Sequence, residues 1–438
     1  MKRPRIGILG GGMAGAVMAH LLAADYDVTV LEAEQHAGGL CSTEMFHGFP
    51  CDVGPHIIFS KNQQALDFLL RMGGDAMTTF TRSNQILYKG RMIKYPFENF
   101  LGLLPPEECA ECARTYLQNP YEDYPGTNML QFFLRTFGSG ITNTYLRPYN
   151  EKIWKFDPAF MDTQMVGRIP KPPAEDVMSG AKGNYKEGYT HQSRFHYPRH
   201  GGVQTLFDQV VAKLPPGVRF LRGARVASIA RGANGVWDVQ CEDKRAFAYD
   251  RIVNCMPLHL LFPRLQLEVP SPVGEALRQL KYNSMIFGIA LFSRDQAGDN
   301  FSLNLPAHDI IFHRISKLNF ITPDAPPDRS AFLYEITYRE GSSLAELSDE
   351  DIRRQVLAGF EKSGLAKSAD LVDFMIRRTR FAYVIYDLNH RRNTDAVLAF
   401  LRGHDIFSCG RFAEFEYLNT DHIVERAFQR VAEIKAAG

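Results

Sequence analysis

The chain lacks an excess of charge of either sign. It has 50 Lys and Arg residues and 49 Asp and Glu residues among 438. A formal net charge of +1 gives no global reason to expect nucleic acid or an anionic membrane surface as a partner. No apolar run approaches the roughly 20 residues of a membrane span, and the first strand-like residues come too early for a signal peptide. We therefore expect a soluble, cytoplasmic protein that binds neither nucleic acid nor membrane.

Cysteines are few and scattered. Their number, seven, is odd, which argues against a disulfide framework. Cys109 and Cys112 have the spacing of a metal or redox pair, but they form a single pair in a helix-like stretch, so we predict no metal site. No internal repeat is present, and the length and the 45% hydrophobic content allow two or three domains with substantial cores.

A glycine motif near the start of the chain is the most informative local feature. It follows the apolar run 6–9, opens a helix-like stretch, and contains Gly10, Gly12, Met13, Ala14 and Gly15. In a G-x-G-x-x-G motif the first glycine permits a tight turn, the second lets backbone approach a pyrophosphate, and the third allows close packing of helix on strand. The free N–H groups at the helix N-terminus suit a diphosphate. The motif predicts dinucleotide binding.

An acidic residue and a second glycine pair narrow the choice of dinucleotide. The strand 28–31 ends at Glu32, whose carboxylate can accept hydrogen bonds from both hydroxyls of an adenosine ribose. A 2′-phosphate would be repelled there, which favours FAD or NAD over NADP. Gly38, Gly39 and Leu40 follow at the place where flavoproteins of the amine-oxidase and mutase type carry a second glycine pair. We therefore expect FAD.

Four further segments resemble the UDP-galactopyranose mutases, flavoenzymes that interconvert six-membered and five-membered ring forms of nucleotide sugars. The segment 54–59 is similar to their G-P-H-I-F stretch, and 149–154 is similar to their Y-x-x-K-x-W block, with Arg168 following at about the family's spacing. The segment 312–315 resembles a strand whose arginine holds the substrate diphosphate. The segment 410–421 is similar to the family's C-terminal G-R block.

The resemblance implies a mechanism in which N5 of reduced FAD is the nucleophile. His56 and Arg411 would lie beside the flavin, while Arg314 and Tyr417 would hold the substrate diphosphate, and these four are the catalytic candidates. The implied partners are a nucleotide-diphosphate sugar and an external reductant such as NAD(P)H, and a homodimer is left open.

The glycine motif, the strand-end acid and the resemblance together give the residues that we expect to bind the cofactor and the substrate. The FAD contacts would be Gly10, Gly12, Met13, Ala14, Gly15, Glu32, Gly39, Leu40, His56, Val226, Gly410, Arg411, Asn419 and Thr420. The substrate contacts would be Phe97, Asn99, Tyr149, Trp154, Arg168, Tyr189, Arg194, Arg314, Tyr383 and Tyr417.

The sequence departs from the family at one expected diphosphate contact. Mutases similar to the bacterial galactose enzyme have a second arginine four residues after the first, where this chain has Pro172, and Arg194 is a candidate replacement. Without the family, the residues have plainer interpretations. His56 is then a turn histidine, Arg314 a cross-strand ion-pair residue, and 149–154 a partly buried helix end.

We predict an α/β fold: a Rossmann-like FAD-binding domain of the glutathione-reductase type, an inserted helical subdomain, and an antiparallel substrate sheet. The predicted sheet includes strands at 285–292, 310–315, 331–338 and 373–383. The FAD domain would comprise 1–80, 197–275 and 396–438, and the helical substrate subdomain 101–196. The substrate sheet would comprise 81–100 and 276–395.

Three functions remain open at this stage. The leading one is a pyranose–furanose mutase acting on a nucleotide sugar. The alternative is an FAD-dependent oxidase or dehydrogenase of the amine-oxidase or protoporphyrinogen-oxidase type, which shares the FAD motifs but does not need arginines for a diphosphate. The third is a non-catalytic scaffold stabilised by FAD.

Overall fold

The computed structural model describes residues 3–167, 169, 171–186, 194–295 and 297–437. The α-helices of this part of the chain are α1 (Met13–Leu22), α2 (Gln63–Gly73), α3 (Pro106–Leu117), α4 (Met129–Ile141), α5 (Arg147–Trp154), α6 (Ala174–Ala181), α7 (Val203–Ala212), α8 (Leu258–Leu261), α9 (Ser271–Gln279), α10 (Asp349–Ser363), α11 (His390–Gly403) and α12 (Thr420–Ala436).

The strands follow the same order along the chain. They are β1 (Arg5–Leu9), β2 (Asp27–Leu31), β3 (Thr43–Phe46), β4 (Phe49–Asp52), β5 (Met77–Thr81), β6 (Asn84–Tyr88), β7 (Arg91–Lys94), β8 (Arg194–Pro198), β9 (Arg219–Leu221), β10 (Val226–Arg231), β11 (Trp237–Cys241), β12 (Ala246–Tyr249), β13 (Arg251–Asn254), β14 (Tyr282–Phe292), β15 (Ser302–Asn304), β16 (Arg314–Lys317), β17 (Ser330–Tyr338), β18 (Leu371–Val384) and β19 (Ile406–Ser408).

A five-stranded parallel sheet, in the order β19-β13-β1-β2-β9, brings together the two ends of the chain. Four of the five residues of β1 are buried, as expected for a strand that is covered on both faces. Helix α1 follows β1 directly and packs against α7 and α12. Because all five strands are parallel, their carboxyl ends meet at one edge, where a ligand can lie against several loops.

A seven-stranded sheet, in the order β18-β14-β17-β16-β15-β6-β7, forms the second large layer. Its pairs are antiparallel except for β15 with β6, which are parallel. The hairpin β6–β7 reverses at Lys89 and Gly90, where both residues have positive φ. The fold is therefore mixed α/β with antiparallel sheet, whereas the glutathione-reductase-type detail stays a prediction.

The prediction for 280–390 is wrong in two places. Strand β16 begins only at Arg314, so 310–312 lie outside it, although the His313 N–H still donates to the Glu335 carbonyl at 3.0 Å. Helix α10 was missed, although Ile352, Val356 and Phe360 recur at helical spacing and are fully buried. Phe312 packs its ring 5.1 Å from that of Phe360. The apolar pattern before Arg314 therefore reflects burial under a helix rather than strand pairing.

The cysteines of the chain are all free thiols. On α3, Cys109 Sγ donates to the carbonyl of Ala181 at 3.6 Å, while Cys112 Sγ lies 3.7 Å from Thr144 Oγ1. The two thiols thus have separate partners. Among the described residues, no helix combines the length and the apolar character that crossing a bilayer requires.

Candidate functional site

A cleft of about 410 Å³ lies at the carboxyl edge of the parallel sheet. Most of the residues that we predicted from the sequence to contact FAD line this cleft. Those lining it are Gly10, Gly12, Met13, Ala14, Glu32, Gly39, Leu40, Val226, Gly410 and Arg411. We call this the first pocket.

The glycines of the first motif each meet a different geometric demand. Gly10 has φ +103°, a conformation that L side chains rarely adopt. A Cβ on Gly15 would overlap the carbonyl oxygen of Gly10, so α1 can pack on the β1 turn only because this residue lacks a side chain. A Cβ on Gly12 would lie 3.6 Å from the oxygen of Gly38 and would fill part of the pocket lining.

Backbone N–H groups from two loops fix the side chain of Glu32. Its Oε2 accepts a hydrogen bond from the Gly11 N–H at 2.6 Å, and its Oε1 accepts one from the Glu34 N–H at 2.8 Å. The carboxylate is thereby fixed at the end of β2 while still lining the first pocket. An anion at this place suits ribose hydroxyls and repels a 2′-phosphate.

The C-terminal block closes the first pocket from the other side. Gly410 has φ +121°, and a Cβ there would lie 3.0 Å from the Cβ of Ala14. Arg411 Nε and Nη2 donate to the carbonyl of Leu418 at 2.9 and 2.7 Å, and its guanidinium carbon lies 5.0 Å from the centre of the Tyr417 ring. Among the described residues, Arg411 is the cation that lines both the first pocket and its neighbour.

The neighbouring cavity, which we call the second pocket, has a volume of about 220 Å³. It brings together residues from distant parts of the sequence. The predicted residues that line it are His56, Arg314, Tyr383, Arg411, Tyr417, Asn419 and Thr420. All four catalytic candidates thus face one cavity, although the roles assigned to them stay predictions.

His56 is a neutral imidazole in this setting. Burial, with the nearby positive charges of Arg411 and Arg314, lowers its pKa to about 4, although the bond to Gly54 partly opposes this. Its Nδ1 lies 2.8 Å from the carbonyl oxygen of Gly54, which can only accept, so Nδ1 carries the proton. Nε2 is therefore a hydrogen-bond acceptor at neutral pH.

Arg314 forms a cross-strand ion pair as well as lining the second pocket. It lies opposite Glu335 in the β16–β17 register, and its Nε and Nη2 donate to the two carboxylate oxygens at 2.6 and 2.7 Å. Glu335 is fully buried. Burial opposes the charge of Arg314, but the attraction of Glu335 outweighs it and raises the pKa of Arg314. Arg314 is therefore both a cross-strand ion-pair residue and a residue of the pocket wall.

Three of the aromatic candidates, Phe97, Tyr149 and Trp154, line neither cavity. The rings of Phe97 and Tyr145 stack at 4.8 Å, and those of Tyr145 and Tyr149 at 5.4 Å. Trp154 contacts Tyr383 and Tyr417 edge to face at 5.5 and 6.2 Å, so it supports two pocket residues rather than lining the pocket itself.

The remaining substrate candidates are separated from the pockets or cannot be placed. Asn99 is buried and donates to the carbonyl of Lys186 at 3.3 Å. Arg194 is exposed on β8, opposite Thr81, and lines neither pocket, so the structure does not place it as a replacement for the arginine missing at Pro172. Arg168 and Tyr189 lie outside the described residues.

Several residues that line the second pocket were missed in the sequence. They are Arg82, Asn84, Ser302 and Ser316. No local motif marks them, because they come together only through the pairing of β6, β15 and β16.

Comparison with known proteins agrees with the flavoprotein fold. Residues 12–382 match the family model described as flavin containing amine oxidoreductase. A crystal structure of reduced UDP-galactopyranose mutase superposes with a TM-score of 0.89 at 21% identity, covering 100% of this chain and 95% of that chain. A fatty acid isomerase from P. acnes, described as CLA-producing, superposes with a TM-score of 0.67 at 16% identity and covers 99% of both chains. These superpositions, with identities below 25%, establish the shared fold alone.

Several curated relatives are L-amino-acid oxidases, and others are a polyamine oxidase and a tryptophan 2-monooxygenase. The L-amino-acid oxidase of Vipera ammodytes ammodytes is 26% identical over 308 residues, which cover 63% of this chain and 59% of that protein. The chain thus matches less than two thirds of the length of such relatives. The matching family and its flavoprotein relatives use FAD, which is the cofactor of this chain. The glycine-walled first pocket with Glu32 at its edge fits that cofactor.

Proposed function

The chain belongs to the flavin-containing amine oxidoreductase family. Within that family, we propose that it is an FAD-dependent isomerase that interconverts pyranose and furanose forms of a nucleoside-diphosphate sugar. The charge of the second pocket carries this proposal. Arg82, Arg314 and Arg411 line it, and the described lining includes no Asp or Glu. Such a wall attracts a diphosphate and repels a simple ammonium substrate.

Arg314 and Tyr417 hold the diphosphate in this proposal. The ion pair with Glu335 uses Nε and Nη2 of Arg314, which fixes the plane of the guanidinium and leaves its Nη1 edge for a phosphate oxygen. Tyr417 is oriented from two sides, because its backbone N–H donates to the Tyr386 hydroxyl at 2.6 Å and its ring lies beneath Arg411. A diphosphate retained in this way can return to the sugar after the ring has changed.

His56 and Arg411 act closer to the sugar and the cofactor. Since His56 Nδ1 donates to Gly54, its neutral Nε2 can accept a hydrogen bond from a sugar hydroxyl. Arg411, shared by both pockets, and the N-terminus of α12 place positive potential where an anionic reduced cofactor is stabilised. FAD held in the first pocket and reduced would provide a nucleophilic nitrogen for covalent catalysis.

The decisive experiment compares reduced and oxidised holoprotein with nucleoside-diphosphate sugars. We expect ring-isomerised product only after reduction by dithionite or a nicotinamide cofactor, with no stoichiometric consumption of reductant. UDP, CDP, GDP and dTDP sugars are tested in parallel, with product followed by chromatography and NMR. Absence of product from the reduced protein with every nucleotide sugar would refute the proposal.

The oxidase relatives support a second candidate, an L-amino-acid oxidase. An arginine of the second pocket would then bind the substrate carboxylate instead of a diphosphate. The oxidised holoprotein would consume oxygen and release hydrogen peroxide with L-amino acids. An oxygen electrode distinguishes the two functions, because the isomerase consumes no oxygen in proportion to product.

A further inference from the structure

We propose that Tyr386 is a positioning residue for the diphosphate site, because it holds a strained turn that sets the place of Tyr417 in the second pocket. The turn is centred on Phe415, and His390 holds it as well. This inference rests on the proposed function, in which Tyr417 binds the substrate diphosphate. Tyr386 lines neither pocket and is only 4% exposed, so it acts through Tyr417 and not by touching the ligand.

The backbone of Phe415 has a conformation that a bulky residue rarely adopts. Its φ is +53°, in the left-handed region. Among the described residues, Phe415 is the one non-glycine residue with positive φ that is also fully buried. A strained conformation of this kind persists only where the surrounding structure fixes it. Because the strain lies two residues before Tyr417, the course of the chain at Tyr417 depends on the contacts that hold the turn.

Two buried side chains fix the backbone of this turn. The Tyr417 N–H donates to the Tyr386 hydroxyl at 2.6 Å. The Phe415 carbonyl lies 2.8 Å from His390 Nε2, which must carry the proton because a carbonyl can only accept. The rings of Tyr386 and His390 are 4.2 Å apart, and both residues are buried. The two hydrogen bonds therefore orient both of the peptide planes that flank Glu416.

A buried carboxylate fixes the Tyr386 hydroxyl in turn. Tyr386 donates to Glu416 Oε2 at 2.7 Å, and Arg391 donates to Glu416 Oε1. Arg391 also donates to Gln164 Oε1 at 3.1 Å. Since the hydroxyl proton points at Glu416, the lone pairs of the same oxygen are available to the Tyr417 N–H. Without this hydroxyl, that N–H and a Glu416 oxygen would both lose a buried hydrogen bond.

The Tyr417 side chain extends from this turn to the wall of the second pocket. Its ring centre lies 6.2 Å from that of Trp154, 5.7 Å from that of Tyr383 and 5.0 Å from the guanidinium carbon of Arg411. These contacts limit the tilt of the ring, whereas the turn decides how far the hydroxyl reaches. Because hydroxyl hydrogen bonds span about 2.5–3.0 Å, a displacement of about 1 Å would remove a bond to a phosphate oxygen.

A double-mutant cycle, measured by titration calorimetry of the FAD holoproteins, tests this role without relying on activity. The ligand is UDP, replaced by CDP, GDP or dTDP if another base binds more tightly. Tyr386→Phe and Tyr417→Phe should each weaken binding about tenfold, as expected for a lost hydrogen bond to a charged group. The double variant should bind within about twofold of Tyr417→Phe, because residue 386 acts only through the Tyr417 hydroxyl.

Additive losses in this cycle would overturn the proposal. A direct contact between Tyr386 and the ligand, or a general loss of structure, would weaken binding by the same factor whether or not the Tyr417 hydroxyl is present.

Hydrogen exchange tests the geometry without any ligand. In Tyr386→Phe the Tyr417 amide loses its acceptor, so its exchange should become about tenfold faster or more in the FAD holoprotein. Mass spectrometry of a peptide that covers 411–418 provides the measurement. Unchanged exchange in this segment would overturn the proposal.

Tyr282→Phe is the matched control. The Tyr282 hydroxyl also accepts from an N–H group, Arg380 Nε at 3.2 Å, and donates to a carboxylate, Glu340 at 3.1 Å, but Tyr282 lines neither pocket. This variant should change neither UDP affinity nor the exchange of 411–418. If Tyr386→Phe does not retain FAD, the cycle is built on His390→Phe, which keeps a ring beside Tyr386 but donates nothing to the turn, and the same lack of additivity is expected.

The failure of this inference can be told apart from the failure of the proposed function. If no nucleoside diphosphate binds to the wild-type holoprotein, the proposed function fails and the positioning role of Tyr386 fails with it. If UDP or another nucleoside diphosphate binds but the losses in the cycle are additive, only the positioning role fails.

Discussion

Arg314 and Glu335 face each other across β16 and β17, with two parallel hydrogen bonds of 2.6 and 2.7 Å between guanidinium and carboxylate. Tyr383 adds a longer contact, 3.4 Å from its hydroxyl to Glu335 Oε2. The carboxylate is fully buried while the arginine side chain keeps 29% of its surface exposed at the pocket. The pair therefore anchors a cation at the cavity wall.

Glu335→Gln should lower the free energy of unfolding. The change removes the charge that compensates a largely buried guanidinium, and breaking such a pair from one side costs about 3–5 kcal/mol. Urea denaturation of the holoprotein measures the effect. Glu340→Gln, which disturbs the exposed Arg380–Glu340 pair, is the control and should cost less than about 1 kcal/mol. Equal losses of stability in the two variants would show that the buried Glu335 carboxylate does not stabilise the protein more than an exposed ion-pair partner does.

Arg314→Ala should weaken nucleotide-sugar binding by about ten- to a hundredfold, because a charge-assisted contact contributes roughly 1.5–3 kcal/mol, while FAD stays bound. Arg411→Ala should disturb FAD first, since Arg411 also lines the first pocket. Titration calorimetry and flavin absorbance measure the two effects.

The double variant Arg314→Ala/Glu335→Gln removes the unpaired buried carboxylate and provides the control for misfolding. It should keep FAD and remain weak in nucleotide-sugar binding. Unchanged affinity in either Arg314 variant would show that Arg314 has only a structural role.

Gly15→Ala should prevent normal FAD binding. The added methyl group would overlap the Gly10 carbonyl, so α1 must move away from β1 and the first pocket must deform. The ratio of flavin to protein absorbance after purification should fall markedly. Gly403→Ala is the matched control, because a Cβ there meets no atom within 4 Å. Full FAD content in the Gly15 variant would contradict the close packing of α1 on the motif.

Because of His56, the free energy of unfolding should decrease as the pH falls. Because burial lowers its folded-state pKa to about 4 from an ordinary value of 6.5, the unfolded chain binds more protons between these values. Stability from this residue is therefore present above about pH 6.5 and is lost as the pH falls toward 4, with a slope approaching 1.4 kcal/mol per pH unit.

The comparison of wild type with His56→Gln isolates this contribution. Asp52, whose pKa burial raises to about 6, contributes the opposite slope in both proteins and cancels in the difference. Denaturation midpoints at pH 4.5 to 7.5 provide the measurement. A difference in stability that does not vary with pH would show that His56 titrates normally.

Much of the cofactor site could be predicted from local sequence. Gly10, Gly12, Gly15 and Glu32 lie within one strand–helix–strand unit, where spacing alone decides which atoms meet. The C-terminal segment 410–421 is equally local, and its residues line both pockets as the turn before α12. Pattern also located the β6–β7 hairpin, because a Lys-Gly turn joins two short strands.

The sequence by itself determined the flavoprotein unit and the residues of its glycine turns, because those geometries depend on near neighbours. Only the tertiary structure decided that Glu335 is the partner of Arg314 and that Asn84, Ser302 and Ser316 share one row. The reason is physical. Sheet register pairs Asn84 with Ser302, which are more than 200 positions apart, and no period or spacing in the chain records which strands will pair.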